Sequence, residues 1–377
     1  MKKILLLFMM CALLPRVAEA QTPTDDMFTV SDLEWSEDDG CYIFTVSLSG
    51  SRIYSAYNLS LTLPQGISVL YETDGEGEKS YYVYRVDDTS FYPYTGSGSR
   101  KTFKHNVSGM VVDGNKLNVA CISMENAEFK KTSGDLFEVL VSLDASLASS
   151  FSPKPIVKLS GLNLTTSAAV KYVPADFACR PFTTGIPAAR TITVNVSAAN
   201  KIGTLILPFD AALPSGLKAY SCNAAEGDLL TLTAAESIEA CKPYIVSAES
   251  GFSGSLSGTV DMSADYGTTD VFAEGYLTGV LSSTTVSTGY ILQNQGDGPM
   301  FYDAEGVTFS LPAGRCYLTP SGAGVKAFNF SFDDDATAIE MVNGKSVNGK
   351  LYDLSGRRVL APARGIYIRG TRKVVIK

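Results

Sequence analysis

Residues 56–66, AYNLSLTLPQG, and residues 134–144, GDLFEVLVSLD, decide the fold. In the first, Tyr57, Leu59, Leu61 and Leu63 alternate with Asn58, Ser60 and Thr62. In the second, Phe137, Val139, Val141 and Leu143 recur at the same spacing. A period of two sends successive side chains to opposite faces of a strand, so each stretch reads as a strand with one face in a core. Leu63-Pro64-Gln65-Gly66 ends one strand in a turn, and Asp113-Gly114-Asn115 supplies another. Further apolar runs lie at 117–122 and 156–164, and no long helical period interrupts them. The expected architecture is all-β: two consecutive β-sandwich, jelly-roll-like domains at 21–182 and 190–332, then a small C-terminal β module at 337–377. Thr183-Thr184-Gly185-Ile186-Pro187 reads as the linker between the first two.

The N-terminus sets the expected compartment. Lys2 and Lys3 precede an uncharged apolar run, Ile4 to Leu14, and Ala18-Glu19-Ala20 offers small residues at a cleavage site. That pattern is a secretory signal peptide over 1–20, which implies export to the outer cell surface or the medium, with the periplasm as the other option. No later stretch is long and apolar enough to span a membrane as a helix. The chain carries 31 Lys or Arg against 39 Asp or Glu, net −8. Nine of the basic residues fall in 337–377 against Glu340 and Asp353, so the body before it is strongly acidic. An acidic body argues against nucleic acid as a partner, because that affinity comes from neutralising phosphates. Cys41, Cys121, Cys179, Cys222, Cys241 and Cys316 remain after the signal, with no CxxC. Zinc and thioredoxin chemistry find no support, and the cysteines read mainly as small buried apolar residues, with pairing in an oxidising compartment left open.

Three stretches resemble known families. Residues 106–145 contain NVSGMVVDGNKLNVACISMENAEFKKTSGDLFEVLVSLDA, and with Leu63-Pro64-Gln65-Gly66-Ile67 they resemble a cohesin-like domain of secreted Bacteroidota proteins over about 27–180. That resemblance implies a jelly-roll-like sandwich related to cohesins and to certain carbohydrate-binding modules. Cohesins bind dockerins, and a likeness of fold does not transfer that partner. GTLILPFDAALPSGLKAY at 203–220 and the strand closing on Leu311-Pro312-Ala313-Gly314 resemble a domain recurring in surface proteins of the same bacteria, one with no general activity attached. Tyr352-Asp353-Leu354-Ser355-Gly356-Arg357-Arg358 and Gly365-Ile366-Tyr367-Ile368 resemble the C-terminal sorting domain of the Por, or type IX, secretion system, although the usual Pro-Asn-Pro is missing. The resemblance implies recognition by outer-membrane export machinery.

Catalysis finds little purchase in the sequence. His105 is the single histidine, expected at a surface or strand edge, and neither GxSxG nor HExxH occurs. Glu37-Asp38-Asp39, Asp87-Asp88 and Asp333-Asp334-Asp335 are the acidic clusters. They read as solvated turns rather than as glycosidase pairs or calcium loops, so neither cofactor nor metal is expected. The chain therefore reads as a non-enzymatic surface binding protein, with a structural or assembly role as the alternative and a glycan-acting enzyme as the third and least favoured reading. The best binding candidate is YYVYRVDDTSFYPY at 81–94, and within it Tyr82, Tyr84, Asp87, Asp88, Tyr92 and Tyr94. Tyrosine presents a flat face and a polar tip, suited to a polysaccharide or a protein ligand. The competing reading buries part of this set in the sandwich. Trp35, the single tryptophan, is expected in the core.

Overall fold

The computed structural model describes residues 22–296, 298–304, 306–320, 325–332, 340–342, 351–353, 358–359, 364–369 and 372–376. The expected signal peptide, the Asp333-Asp334-Asp335 junction and much of the sorting-domain motif lie outside the described residues. The chain is all-β. Among the described residues the only helical elements are the 3-10 turns Gly98–Arg100 and Ala145–Ser149. No described helix is long and apolar enough to cross a membrane, which says nothing of a β-barrel. Met1–Ala189 with Asp261–Thr269 form one compact unit, and Arg190–Val260 with Asp270–Lys377 form a second.

The first unit is a sandwich of two sheets. One has the order Thr22–Pro23, Lys171–Val173, Val157–Thr165, Ala56–Thr62, Lys116–Ser123 and His105–Val112. The other runs Met27–Val30, Cys41–Ser49, Gly134–Leu143 and Ile67–Val69, with Glu34–Ser36 added to Cys41–Ser49 and Val83–Arg85 added to Gly134–Leu143. The alternating residues face inward. Leu61 pairs between Leu117 and Leu159, and Val139 between Phe44 and Val83, and all six are buried. Together with Tyr57, Leu59, Phe137 and Val141 they belong to one apolar core between the sheets. The two turns form as their residues require. Ile67 N–H donates to Pro64 O at 3.2 Å, and Gly66 takes a φ of +87°, the left-handed conformation that glycine reaches at least cost. Asp113 and Gly114 both have positive φ, which matches the right-handed twist of the hairpin they close.

The stretch read as a linker is fastened to this sandwich. Phe182 is buried against Phe44 at 5.2 Å between ring centroids, and Ile186 joins the core. The Asp32 carboxylate accepts hydrogen bonds from the Thr183 N–H at 2.7 Å, the Leu33 N–H at 2.7 Å and the Thr184 hydroxyl at 3.1 Å. These bonds hold Asp32 below the usual carboxylate range, against burial, which pushes the other way. Gly185, with a φ of +73°, passes so close to the Tyr42 ring that an added Cβ would lie 2.6 Å from it. Residues 261–269 complete the unit as a strap. Lys154 Nζ donates to the carbonyls of Met262 at 3.3 Å and Ala264 at 2.7 Å, and Arg180 donates to those of Gly267 at 2.8 Å and Thr269 at 2.7 Å. Met262 packs against the core.

The second unit is built on a ten-stranded sheet. Its order is Ile202–Leu205, Tyr244–Ser247, Lys218–Glu226, Leu229–Ala235, Ala327–Phe332, Pro299–Asp303, Tyr290–Asn294, Arg315–Leu318, Leu277–Val280 and Val271–Glu274. The sheet folds back on itself. Cys316 N–H donates to the Thr204 hydroxyl at 3.0 Å, and Arg315 donates to Thr204 O at 3.0 Å, joining strands that are far apart in the sheet order. A separate five-stranded sheet contains Glu340–Val342, Arg372–Ile376, Gly365–Arg369, Leu351–Tyr352 and Arg358–Val359.

The strap makes a prediction. Lys154→Ala combined with Arg180→Ala removes the four charge-assisted hydrogen bonds to the strap, and the two that Arg180 gives Ser152 and the Lys154 carbonyl. Limited proteolysis should then cut first within 261–269, where the wild-type chain resists, and thermal unfolding should show a loss of roughly 1–3 kcal/mol.

Candidate functional site

The candidate tyrosines do not stay together. Tyr92 is fully buried, with 0% of its surface exposed, so it is corrected from the binding set to the core. Its hydroxyl lies 3.2 Å from that of Tyr57 and donates to Leu136 O at 2.8 Å. A buried phenol needs such partners, and two are in place here. Tyr94 is half-buried on the Tyr94–Thr95 ribbon, with Lys130 Nζ 4.6 Å and Lys101 Nζ 5.5 Å from its ring centre. Asp87 is exposed in the following turn. The Asp88 carboxylate accepts from the Ser90 N–H at 2.7 Å and the Ser90 hydroxyl at 3.0 Å, bonds that hold it low against burial. It shapes the turn.

Tyr82 and Tyr84 do come together, on the outer face of the sheet containing Gly134–Leu143. Val83 between them points into the core, so strand parity sends both tyrosines outward. Their rings stack with centroids 6.0 Å apart and planes 24° from parallel, and Tyr84 is 49% exposed. Register decides their neighbours. Tyr84 pairs with Glu138, and Glu138 with Thr45 on the next strand. One row further, Leu140 pairs with Ile43, and Ile43 with Glu34. Asp135 joins the same face, accepting from the Ser47 hydroxyl at 2.6 Å.

This face is acidic. Burial, then Asp135, Asp39 and Glu34, raise the Glu138 carboxyl above its ordinary value. Burial, then Tyr82, Glu72 and Asp39, raise the Tyr84 phenol. Every charged group acting on either is an acid. Sequence reading missed Glu138, although its place between Phe137 and Val139 marks it as outward-facing. That it faces Tyr84 is a matter of register, which no local pattern reveals.

Two further expectations are corrected. Trp35, expected in the core, is 49% exposed, at the edge of the sheet, with its ring against Tyr42 at 5.0 Å. The Glu34–Ser36 strand borders only Cys41–Ser49, so no second strand covers it. His105, expected at a surface or edge, is 1% exposed. It shares strand parity with Val107, and its ring lies 4.6 Å from Phe129 and 5.6 Å from Tyr92. Its Nε2 lies 3.1 Å from Ser55 O. Burial holds the imidazole below its ordinary value, opposed by the main chain of Ser55 and Ala127 and reinforced by Arg85.

Among the described residues the structure holds no disulfide. Burial pushes Cys121, Cys222 and Cys316 up to about 12 and Cys179 to about 11, so they are protonated near neutral pH. Among the described residues no three His, Cys, Asp or Glu side chains gather as metal ligands.

No family model matches the chain. No curated protein matches it either. Among solved structures it is similar to a cohesin module from a Clostridium perfringens family 33 glycoside hydrolase, at 8% identity over 42% of this chain and 95% of that one, with a TM-score of 0.29. A non-cellulosomal cohesin from Archaeoglobus fulgidus gives 16% identity over 43% and 93%, with a TM-score of 0.27. The T6 backbone pilin of Streptococcus pyogenes gives 12% identity over 82% of this chain and 64% of that one, with a TM-score of 0.22. At such scores these likenesses carry no argument about what this chain binds.

Two titrations test this geometry. A histidine whose folded value lies below the ordinary 6.5 costs nothing at higher pH, and stability falls as pH drops below 6.5, where the unfolded chain takes up the proton first. The urea midpoint should fall between pH 7 and pH 5, and His105→Phe should flatten that slope whatever its absolute stability. For Glu138 the folded value is raised, so ionisation at neutral pH opposes folding. Glu138→Gln should be more stable at pH 7 by less than about 1 kcal/mol, and that gain should disappear below pH 4.5, where both states are protonated in the wild-type chain.

Proposed function

We propose that the chain is a non-enzymatic, exported binding protein of the cell surface, and that its first unit presents the outer face carrying Tyr82 and Tyr84 to a polysaccharide or protein ligand. The observation that carries this reading is the stacked tyrosine pair. Two aromatic rings on a paired sheet are held rigid and lose little freedom when a ligand covers them. Glu138, across the strand pair from Tyr84, offers a hydrogen-bond acceptor, and half-buried Ile43 on the same face offers apolar contact. Export rests on the signal-like residues 1–20 and on the likeness of 339–377 to a sorting domain. The cohesin-like motifs of 27–180 agree with a binding module. The buried histidine and the protonated thiols leave this face without a nucleophile or a base poised near neutral pH.

The test is a binding screen of the purified full chain against oligosaccharide and peptide arrays, run beside Tyr82→Ala combined with Tyr84→Ala. Binding that drops at least tenfold in a variant of unchanged melting temperature supports the reading. The alternative, a structural component of a surface assembly, predicts self-association that is indifferent to both tyrosines.

A further inference from the structure

From the pattern of charges around the aromatic rings, and resting on the binding face just proposed, we infer that its ligand is a basic protein segment, bound through Lys or Arg side chains seated on Tyr82 and Tyr84.

The chain caps four of its exposed or half-buried tyrosines with its own cations. Lys79 Nζ stands 4.1 Å from the centre of the Tyr71 ring, the Arg52 guanidinium 4.7 Å from Tyr172, Lys130 4.6 Å from Tyr94 and Lys154 5.7 Å from Tyr266. Among the described residues no Lys or Arg stands over Tyr82 or Tyr84. The stacked pair is left uncapped, and a π-face of this kind attracts a cation electrostatically.

The surroundings select the same charge. Glu138 lies directly across the strand pair from Tyr84, Glu34 lies one row away, and Asp135, Asp39 and Glu72 stand around them. A carboxylate beside an aromatic face gives a guanidinium or ammonium both an ion pair and a π contact. Ile43, half-buried on this outer face, adds apolar surface for the methylene stem of a long basic side chain. A neutral sugar would stack on the rings and donate hydroxyls to a carboxylate, but it carries no charge to offset five of them. An acidic ligand would be repelled. Charge complementarity therefore commits the face to one occupant, a protein segment carrying Lys or Arg.

The experiment uses the full chain and a peptide array. Twelve-residue peptides with one to three Arg or Lys are set beside the same peptides with Gln at those positions, and beside a panel of neutral oligosaccharides. The expected result is selective binding of the basic peptides, weakened at least tenfold by Tyr82→Ala with Tyr84→Ala, and likewise by Glu34→Gln with Glu138→Gln. It should be retained by Tyr84→Phe, which keeps the ring. Glu226→Gln with Asp228→Asn removes the same charge from exposed positions of the second unit and should change affinity less than twofold. Equal weakening by that control would mean attraction to the acidic chain at large, and would overturn the inference. Tyrosine-dependent binding of a neutral oligosaccharide would overturn it too, while leaving the binding face standing. If no probe binds in a tyrosine-dependent way, both the face and its basic ligand fall.

Discussion

The strand Gly134–Leu143 pairs with Cys41–Ser49 on one side and with Val83–Arg85 and Ile67–Val69 on the other, and the first unit depends on that register. Phe137, Val139 and Val141 fill the core from this strand, while Glu138 and Leu140 face outward from the same backbone. A slip of one residue would exchange the two sets, exposing three apolar side chains and burying a carboxylate. The apolar face therefore holds the outer face in place. The opposition of Tyr84 and Glu138 is a by-product of packing that Phe137 and Val139 enforce.

Most buried polar groups inside the first unit keep a partner, the exception among the described residues being His105 Nδ1. Tyr92 and Tyr57 share their hydroxyls, Asp32 gathers the Thr183 and Thr184 donors, and His105 reaches Ser55 O. Lys154 and Arg180 bond to main-chain carbonyls, so the strap at 261–269 is held through its backbone as well as by Met262. The outer face departs from the economy seen elsewhere. Burial, then its acidic neighbours, raise Glu138, and among the described residues no cation stands over the stacked rings. A surface that is rigid, acidic and aromatic at once is selective about charge before any contact is made.

Much of the architecture was legible in the residues. The alternation at 57–63 and 137–143 named the strands and their buried faces, and Pro64-Gln65-Gly66 and Asp113-Gly114 named two turns. The candidate site was legible only in part. Tyr82 and Tyr84 flank an apolar Val83, so parity alone sets them outward. Tyr92 lies outside any strand, where parity says nothing, and its burial came from hydrogen-bond partners 35 and 44 residues away. Trp35 was misplaced because hydrophobicity predicts burial only where a neighbour exists to cover the side chain. Thr183 to Pro187 has a linker's composition, yet Phe182 and Ile186 anchor it and Asp32 binds it across 151 residues of chain.

By itself the sequence determined that this chain is all-β, where its main strands lie and which of their side chains face a core, because backbone pleating imposes a period of two that any reader of the residues can count. Only the tertiary structure decided which outward residues became neighbours. Glu138 meets Tyr84, and Leu140 meets Ile43 and Glu34, through a register set by the packing of the opposite face. Local pattern carries the direction of a side chain, and the identity of the residue across the strand is a long-range fact.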